Sequence, residues 1–189
     1  MTKAELRKIN LARQKLLSND ERIEKSKQLC KQFFREFNLS KVGFLNLFLA
    51  IQKNNEIETR FFYDKIWRDF PQICTSVPRV SGENLELIEF TSETKLVKNS
   101  WKIPEPFANN FVDAKLIDVV LVPLLCFDAE GFRVGYGKGF YDKFLSKCRK
   151  DCLKIGLSYF APIEKIDDVN EFDVRLNYCL TPENIVNCK

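Results

Sequence analysis

The chain has 189 residues, 45% of them hydrophobic and 30% charged, with 17 phenylalanines and a net charge of +4. This is apolar material for one sizeable core, too much for a disordered chain, and the length favours a single domain over residues 1–189. A net charge of this size fits an anionic small ligand as well as nucleic acid, but no strong basic stripe, RNP aromatic pattern or helix-turn-helix signal appears, and the lack of any histidine removes the commonest general base and every Ser-His or Cys-His triad.

In chain order, residues 3–17 predict a first helix. Leu6, Ile9, Leu16 and Leu17 share one face at the 3.6-residue period, and Lys3 and Arg7 stack one turn apart on its flank. The start of the chain shows no paired n-region and h-region of a secretory signal, and Glu5 with the acidic NDERIE that follows argues against a transit peptide. Ser18 and Glu21 form a capping box that opens a second helix, with Ile23, Cys30, Phe33, Phe34 and Phe37 on one face. VGFLNLFLA (42–50) predicts a strand, and EIETRFFYDKIWRDF a helix with Phe62, Ile66 and Phe70 four apart. ICTSVPRV and LELIEF are short strands. LIDVVLVP (116–123) is a nearly unbroken β-branched run, the mark of a parallel strand buried on both faces. A helix FYDKFLSKCRK follows, then strands in LKIGLSYF (153–160) and NYCLTP (177–182). Strands alternating with helices predict an α/β fold: a single-domain, mostly parallel β-sheet sandwiched by helices. No apolar run approaches the roughly 20 residues of a membrane helix.

The seven cysteines (30, 74, 126, 148, 152, 179, 188) are scattered. Cys148 and Cys152 fall four apart, with no second pair or histidine to complete a zinc site, so reduced thiols of a cytoplasmic protein are expected.

Four of the seven glycines crowd into FDAEGFRVGYGKGFYDKFL (127–145), between the apolar strand and a helix. Ligands of open α/β sheets sit there, outside the carboxyl ends of the strands. Gly135, Gly137 and Gly139 offer bare amides for an anion nest closed by a helix N-terminus, with Arg133 and Lys138 supplying charge. Asp142 beside them suits a nucleotide carried with Mg²⁺. The spacing matches neither G-x-x-x-x-G-K-[ST] nor G-x-G-x-x-G, so a glycine-rich turn with solvated charges stays open on spacing alone. Likewise, Asp142 also suits a helix dipole, and Lys3 and Arg7 also suit a solvated helix flank.

Several stretches, in order, resemble the 5-formyltetrahydrofolate cyclo-ligase (5,10-methenyltetrahydrofolate synthetase) family: KAELR at the start, NEIET, SVPRV, NSWKIPEP, VPLLCFDAEGFRVGYGKGFYDKFL and NEFDVRLNYCLTPE. The resemblance implies ATP as co-substrate, Mg²⁺ as metal and 5-formyltetrahydrofolate as substrate. Carried over by position, ATP falls on Lys3, Ala4, Glu5, Leu6 and Arg7, and on Arg133, Val134, Gly135, Tyr136, Gly137, Lys138, Gly139, Phe140 and Tyr141. Lys138 and Arg133 are the implied catalytic pair, and Asp142 and Asp173 the implied metal ligands. Folate falls on Glu56, Leu49 and Trp101, and on the overlapping Tyr136, Gly137, Lys138, Gly139 and Phe140. Phe140 stands where many relatives have tyrosine, and FLAIQKNNEIET is longer than the family pattern ahead of Glu56. A carboxylate at position 56 suits paired N–H donors on a pterin edge, and Trp101 suits ring stacking. The implied partners are 5-formyltetrahydrofolate and ATP, with no nucleic acid, no membrane, and a monomeric state. Two other readings compete: a non-catalytic nucleotide- or polyanion-binding regulator on the same fold, and an RNA-binding protein, which needs stacking aromatics on an exposed sheet.

Overall fold

A computed structural model describes residues 1–99 and 103–188. Two capping boxes open the chain. Thr2 and Glu5 start α1 (Lys3–Lys15), and Ser18 and Glu21 start α2 (Asn19–Glu36), each pair satisfying amides that a helix start leaves orphaned. Then follow β1 (Phe44–Asn46), α3 (Arg60–Asp69), β2 (Cys74–Ser81), β3 (Asn84–Glu89), β4 (Leu96–Lys98), β5 (Pro104–Pro106), β6 (Val119–Pro123), β7 (Cys126–Phe127), β8 (Arg133–Val134), α4 (Phe140–Leu145), β9 (Leu153–Leu157), β10 (Tyr178–Leu180) and β11 (Ile185–Asn187).

Seven strands form the central sheet in the order β11-β10-β9-β6-β1-β2-β3. The inner neighbours run parallel, and only the edge strands β3 and β11 are antiparallel to theirs. β4 pairs with β5, and β7 with β8, in separate two-stranded ribbons. The expected mostly parallel sheet between helices is what forms.

β6 shows why its sequence is apolar throughout. Val119 and Leu121 face a core built with Leu29 and Phe33 of α2 and Phe62 and Ile66 of α3. Val120 and Val122 face the opposite core, with Phe144 and Leu145 of α4. Every other residue meets a different helical layer, so no position can be polar. The phenylalanines concentrate on the first face, where Phe33 stacks on Phe37 with ring centroids 5.4 Å apart and tilts against Phe62 at 5.8 Å.

Three local expectations are corrected. The face of α1 that packs inward is only half the expected one: Leu6 is buried and Leu17 packs on the main core, but Ile9 and Leu16 are 51% and 84% exposed, and Asn10 and Gln14 are buried in their stead. The strand expected over 42–50 has three residues in the sheet, after which the chain runs on to a short 3₁₀ turn at Gln52–Asn54. The helix expected over 140–150 ends at Leu145. The glycine stretch is also separated from β6 by the β7–β8 hairpin, whose alternation is too short to register as two strands. No helix among the described residues is long and apolar enough to cross a membrane.

Candidate active site

The strand order reverses between β1 and β6. β1 continues towards β2 on one side, while β6, β9 and β10 build outwards on the other. Loops leaving the carboxyl ends of these two neighbours diverge and leave a crevice, where open α/β sheets place their ligands. The loop 47–58 leaves β1, and the hairpin and glycine loop follow β6.

Glu56 sits in the first loop, 6% exposed. Its Oε2 accepts the Ile51 amide at 2.7 Å, and the Tyr136 hydroxyl of the glycine loop donates to the same carboxylate. Burial dominates over both bonds and pushes Glu56 up to about 7. The carboxylate is thus poised between charged and neutral near physiological pH. The loop owes its shape to Asn55, whose φ of 52° is the one left-handed non-glycine backbone among the described residues. The Asn55 amide donates to the carbonyls of Gln14, Lys15 and Leu17, at 3.4, 3.2 and 3.0 Å, closing the carboxyl end of α1. Leu49 is half-buried and packs against the main core. Trp101 lies outside the described residues.

α1 lays a polar stripe along the crevice. Arg7 donates through Nε to the Gly135 carbonyl at 2.9 Å, and its guanidinium lies where a Cβ on Gly137 would come within 2.9 Å of Cζ. Gly137 has φ +88° and Gly139, which precedes α4, has φ +68°. Glycine at 137 therefore serves twice: it reaches a conformation that L-residues rarely adopt, and it clears the space Arg7 fills. Leu6 is buried with Cys126 and Val134, pinning α1 to the hairpin. Ala4 and Glu5 point to solvent, Glu5 being taken up in the capping box.

Lys138 is exposed between its two glycines and makes no hydrogen bond or ion pair among the described residues. Arg133 behaves differently. Its side chain is 5% exposed, donates to the Val174 carbonyl at 2.5 Å, and pairs with Asp142 at 2.7 Å. Asp142 Oδ1 also accepts the Val174 amide at 3.1 Å, so Asp142 is bonded to the residue that follows Asp173. Asp173 Oδ2 in turn is paired with Lys3 Nζ and accepts the Asn170 amide at 2.7 Å. Asp142 Oδ2 and Asp173 Oδ1 carry none of these bonds. The two carboxylates are thus brought to neighbouring chain segments, each with one oxygen outside these bonds, as hard donors for a small divalent cation require. No cluster of three or more potential metal ligands occurs among the described residues. Phe140 is half-buried, and the buried Tyr141 hydroxyl has no partner among the described residues.

Sequence reasoning missed the polar support. Gln14 Nε2 donates to the Asn54 carbonyl at 2.7 Å, and the Gln14 and Asn54 side chains both reach the Tyr136 hydroxyl. The signal was present: Lys3, Leu6, Arg7, Asn10 and Gln14 recur at three- and four-residue spacing, a stripe as regular as any apolar one.

All seven cysteines are free thiols, in keeping with the expected reduced set.

The sequence model of the 5-formyltetrahydrofolate cyclo-ligase family matches residues 1–182. The mouse 5-formyltetrahydrofolate cyclo-ligase is 28% identical over 145 residues, spanning 72% of this chain and 70% of that protein. The Escherichia coli strain K12 protein of the same name is 27% identical over 136 residues, spanning 70% and 75%. Among solved structures, the NMR structure of Aquifex aeolicus 5,10-methenyltetrahydrofolate synthetase superimposes with a TM-score of 0.85 at 26% identity, covering 100% of this chain and 94% of that one. With the family pattern running through α1, the Glu56 loop, the glycine loop and the Asp173 segment, the chain belongs to the 5-formyltetrahydrofolate cyclo-ligase family.

Proposed function

We propose that this chain closes 5-formyltetrahydrofolate to 5,10-methenyltetrahydrofolate with ATP and Mg²⁺, releasing ADP and phosphate. The observation that carries the reading is the meeting of the Glu56 loop and the glycine loop at the Tyr136 hydroxyl, with Arg7 seated on Gly137. A carboxylate suited to a pterin edge and cations suited to a triphosphate face one crevice.

The formyl oxygen of the substrate is an amide oxygen and a very poor leaving group. Attack by that oxygen on the γ-phosphorus breaks the bond to ADP. N10 then adds to the activated formyl carbon, the C–O bond breaks, and the N10 proton leaves with the departing phosphate, so that hydrogen phosphate and the methenyl cation result. Phosphoryl transfer of this kind asks for in-line positioning and neutralised charge, not for a histidine. The amides of the glycine loop and Arg7 hold the triphosphate, and Lys138 meets the phosphoryl group in flight. Lys3 adds charge from the start of α1. α4 is too short for a strong dipole, so the cradle rests on amides and cations. Asp142 and Asp173 hold Mg²⁺, which when bound shields the phosphate charge. Arg133 holds Asp142 in place for that purpose. Glu56, ionised, accepts N–H donors of the pterin, with Leu49 and Phe140 as apolar neighbours. The protein works as a single-domain monomer in the cytoplasm, a setting that its seven free thiols favour.

Purified protein mixed with 5-formyltetrahydrofolate and Mg·ATP is expected to develop the methenyl chromophore, one phosphate released per product. Folded protein giving no chromophore under these conditions would overturn the reading.

A further inference from the structure

Arg22 lies one turn into α2 and is 6% exposed. A buried guanidinium is costly unless it is paired and bonded. Its Nη2 donates to the Asn19 side chain at 3.1 Å. Its Nη1 donates to the Glu58 carboxylate at 3.4 Å and to the main-chain carbonyl of Glu56 at 3.3 Å. One turn further along α2, Ser26 Oγ accepts the Glu58 amide at 3.0 Å and donates its proton to the Arg22 carbonyl at 2.7 Å. α2 therefore holds both peptides that flank Ile57, which is itself buried in the main core. Glu56 is fastened on either side. Ahead of it, Asn55 is tied to the carboxyl end of α1; behind it, the chain is tied to α2. Its carboxylate, accepting the Ile51 amide at 2.7 Å, stands between the two anchors.

We propose that Arg22 is a positioning residue for folate recognition: by donating to the Glu56 carbonyl from α2, it fixes the peptide that carries the Glu56 carboxylate to the crevice. The inference rests on reading Glu56 as the folate-side carboxylate. The Arg22–Glu58 pair is not needed for stability as such, because an apolar pair of similar volume often serves a fold as well or better. What a guanidinium adds is direction. Its rigid fork of donors meets Asn19, Glu58 and the Glu56 carbonyl at once, which neither an apolar side chain nor a single ammonium can do. A glutamate aimed at paired N–H donors needs that direction, since a carboxylate displaced by a fraction of an ångström loses the planar match. With the loop held before the ligand arrives, binding does not have to order it.

The test compares wild type with Arg22→Met, Arg22→Lys, Glu58→Gln and the double variant Arg22→Met/Glu58→Gln. Calorimetry reads Kd for 5-formyltetrahydrofolate without turnover, and steady-state kinetics read KM for folate and for ATP. Arg22→Met is expected to raise folate Kd and KM about tenfold, with KM for ATP within about twofold of wild type. Arg22→Lys, which keeps the charge and loses the fork, should fall between the two. Glu58→Gln keeps the bond to the Glu56 carbonyl and should bind folate within about twofold of wild type. The double variant leaves no buried charge unpaired, so its Tm should recover towards wild type while its folate defect stays. A folded double variant with wild-type folate Kd would overturn the inference, as would equal losses for folate and ATP. Should Arg22→Met not fold, the double variant carries the comparison; failure of both to fold would make Arg22 a residue of the fold alone and overturn the inference too. Glu56→Gln separates the two layers. A wild-type folate Kd in that variant removes the reading of Glu56 and this inference with it. A raised Kd there, with an unmoved Kd in the double variant, removes Arg22 alone.

Discussion

Lys138 is the one lysine of the glycine loop, held between Gly137 and Gly139 with its ammonium in solvent. A cation with no partner among the described residues contributes little to the fold, since exposed charges away from special features matter by less than about 0.5 kcal/mol. It is free to meet charge that moves during the reaction. Removing one such positioned donor typically costs about 3–4 kcal/mol of barrier, or roughly a hundred- to thousand-fold in rate. Lys138→Met is therefore expected to lower kcat by that factor, with a smaller change in ATP KM and little change in Tm. Steady-state kinetics beside a thermal melt check it, and a near-wild-type kcat would leave Arg7 and the amides as the cradle. Lys138 and Glu56 stood out in the sequence because family motifs surround them. Gln14 was not: a helical glutamine is usually solvated, and choosing the face of α1 by its apolar residues selected Ile9 and Leu16, which are exposed. Asn55 was hidden for a different reason, as nothing local says that its side chain will reach back to three carbonyls of α1.

At the level of elements, the two-face burial of β6 was plain from its unbroken apolar run, and the Ser18–Glu21 capping box marked the start of α2, whereas the Thr2–Glu5 box of α1 emerged only in the structure. The β7–β8 hairpin was not, because two residues per strand give no period to count. That hairpin matters, as it carries Arg133 to Asp142 of α4 and to the Val174 backbone, tying α4 to the segment of Asp173. An acid at the third position of a helix reads from sequence as a dipole partner or a metal ligand; the structure adds a third duty, neutralising a buried guanidinium. Asp142→Asn is accordingly expected to act twice. The Mg²⁺ concentration for half-maximal rate should rise, and stability should fall by about 1–3 kcal/mol as the Arg133 charge loses its partner. Metal titrations of activity and urea unfolding measure the two separately; unchanged Mg²⁺ dependence with lowered stability would make Asp142 a partner of Arg133 only.

For the molecule as a whole, Glu56 links the crevice to global stability. Its folded value of about 7 stands above the ordinary 4.5, so the folded protein holds this proton more tightly than the unfolded chain does. The contribution is fully present below about pH 4.5 and is lost as pH rises through 7. The shift corresponds to roughly 3 kcal/mol, as an order of magnitude. In the ligand-free protein, the stability of wild type relative to Glu56→Gln should therefore decline between pH 5 and 8, as urea midpoints at each pH would show; parallel curves would mean that burial does not hold the proton. A further consequence follows from the polar seam of α1. Leu6 is the only apolar side chain that helix buries fully, and the rest of its docking is hydrogen bonds that water can replace. Such an element opens at lower free energy than the core helices. Its amide hydrogens should exchange ahead of those in α2. With the two ligands seated as proposed, opening would withdraw Lys3 and Arg7 from one and release the Asn55-held Glu56 loop from the other. Each ligand then closes the helix for its partner, and nucleotide and folate bind with mutual reinforcement although neither touches the other's residues on α1.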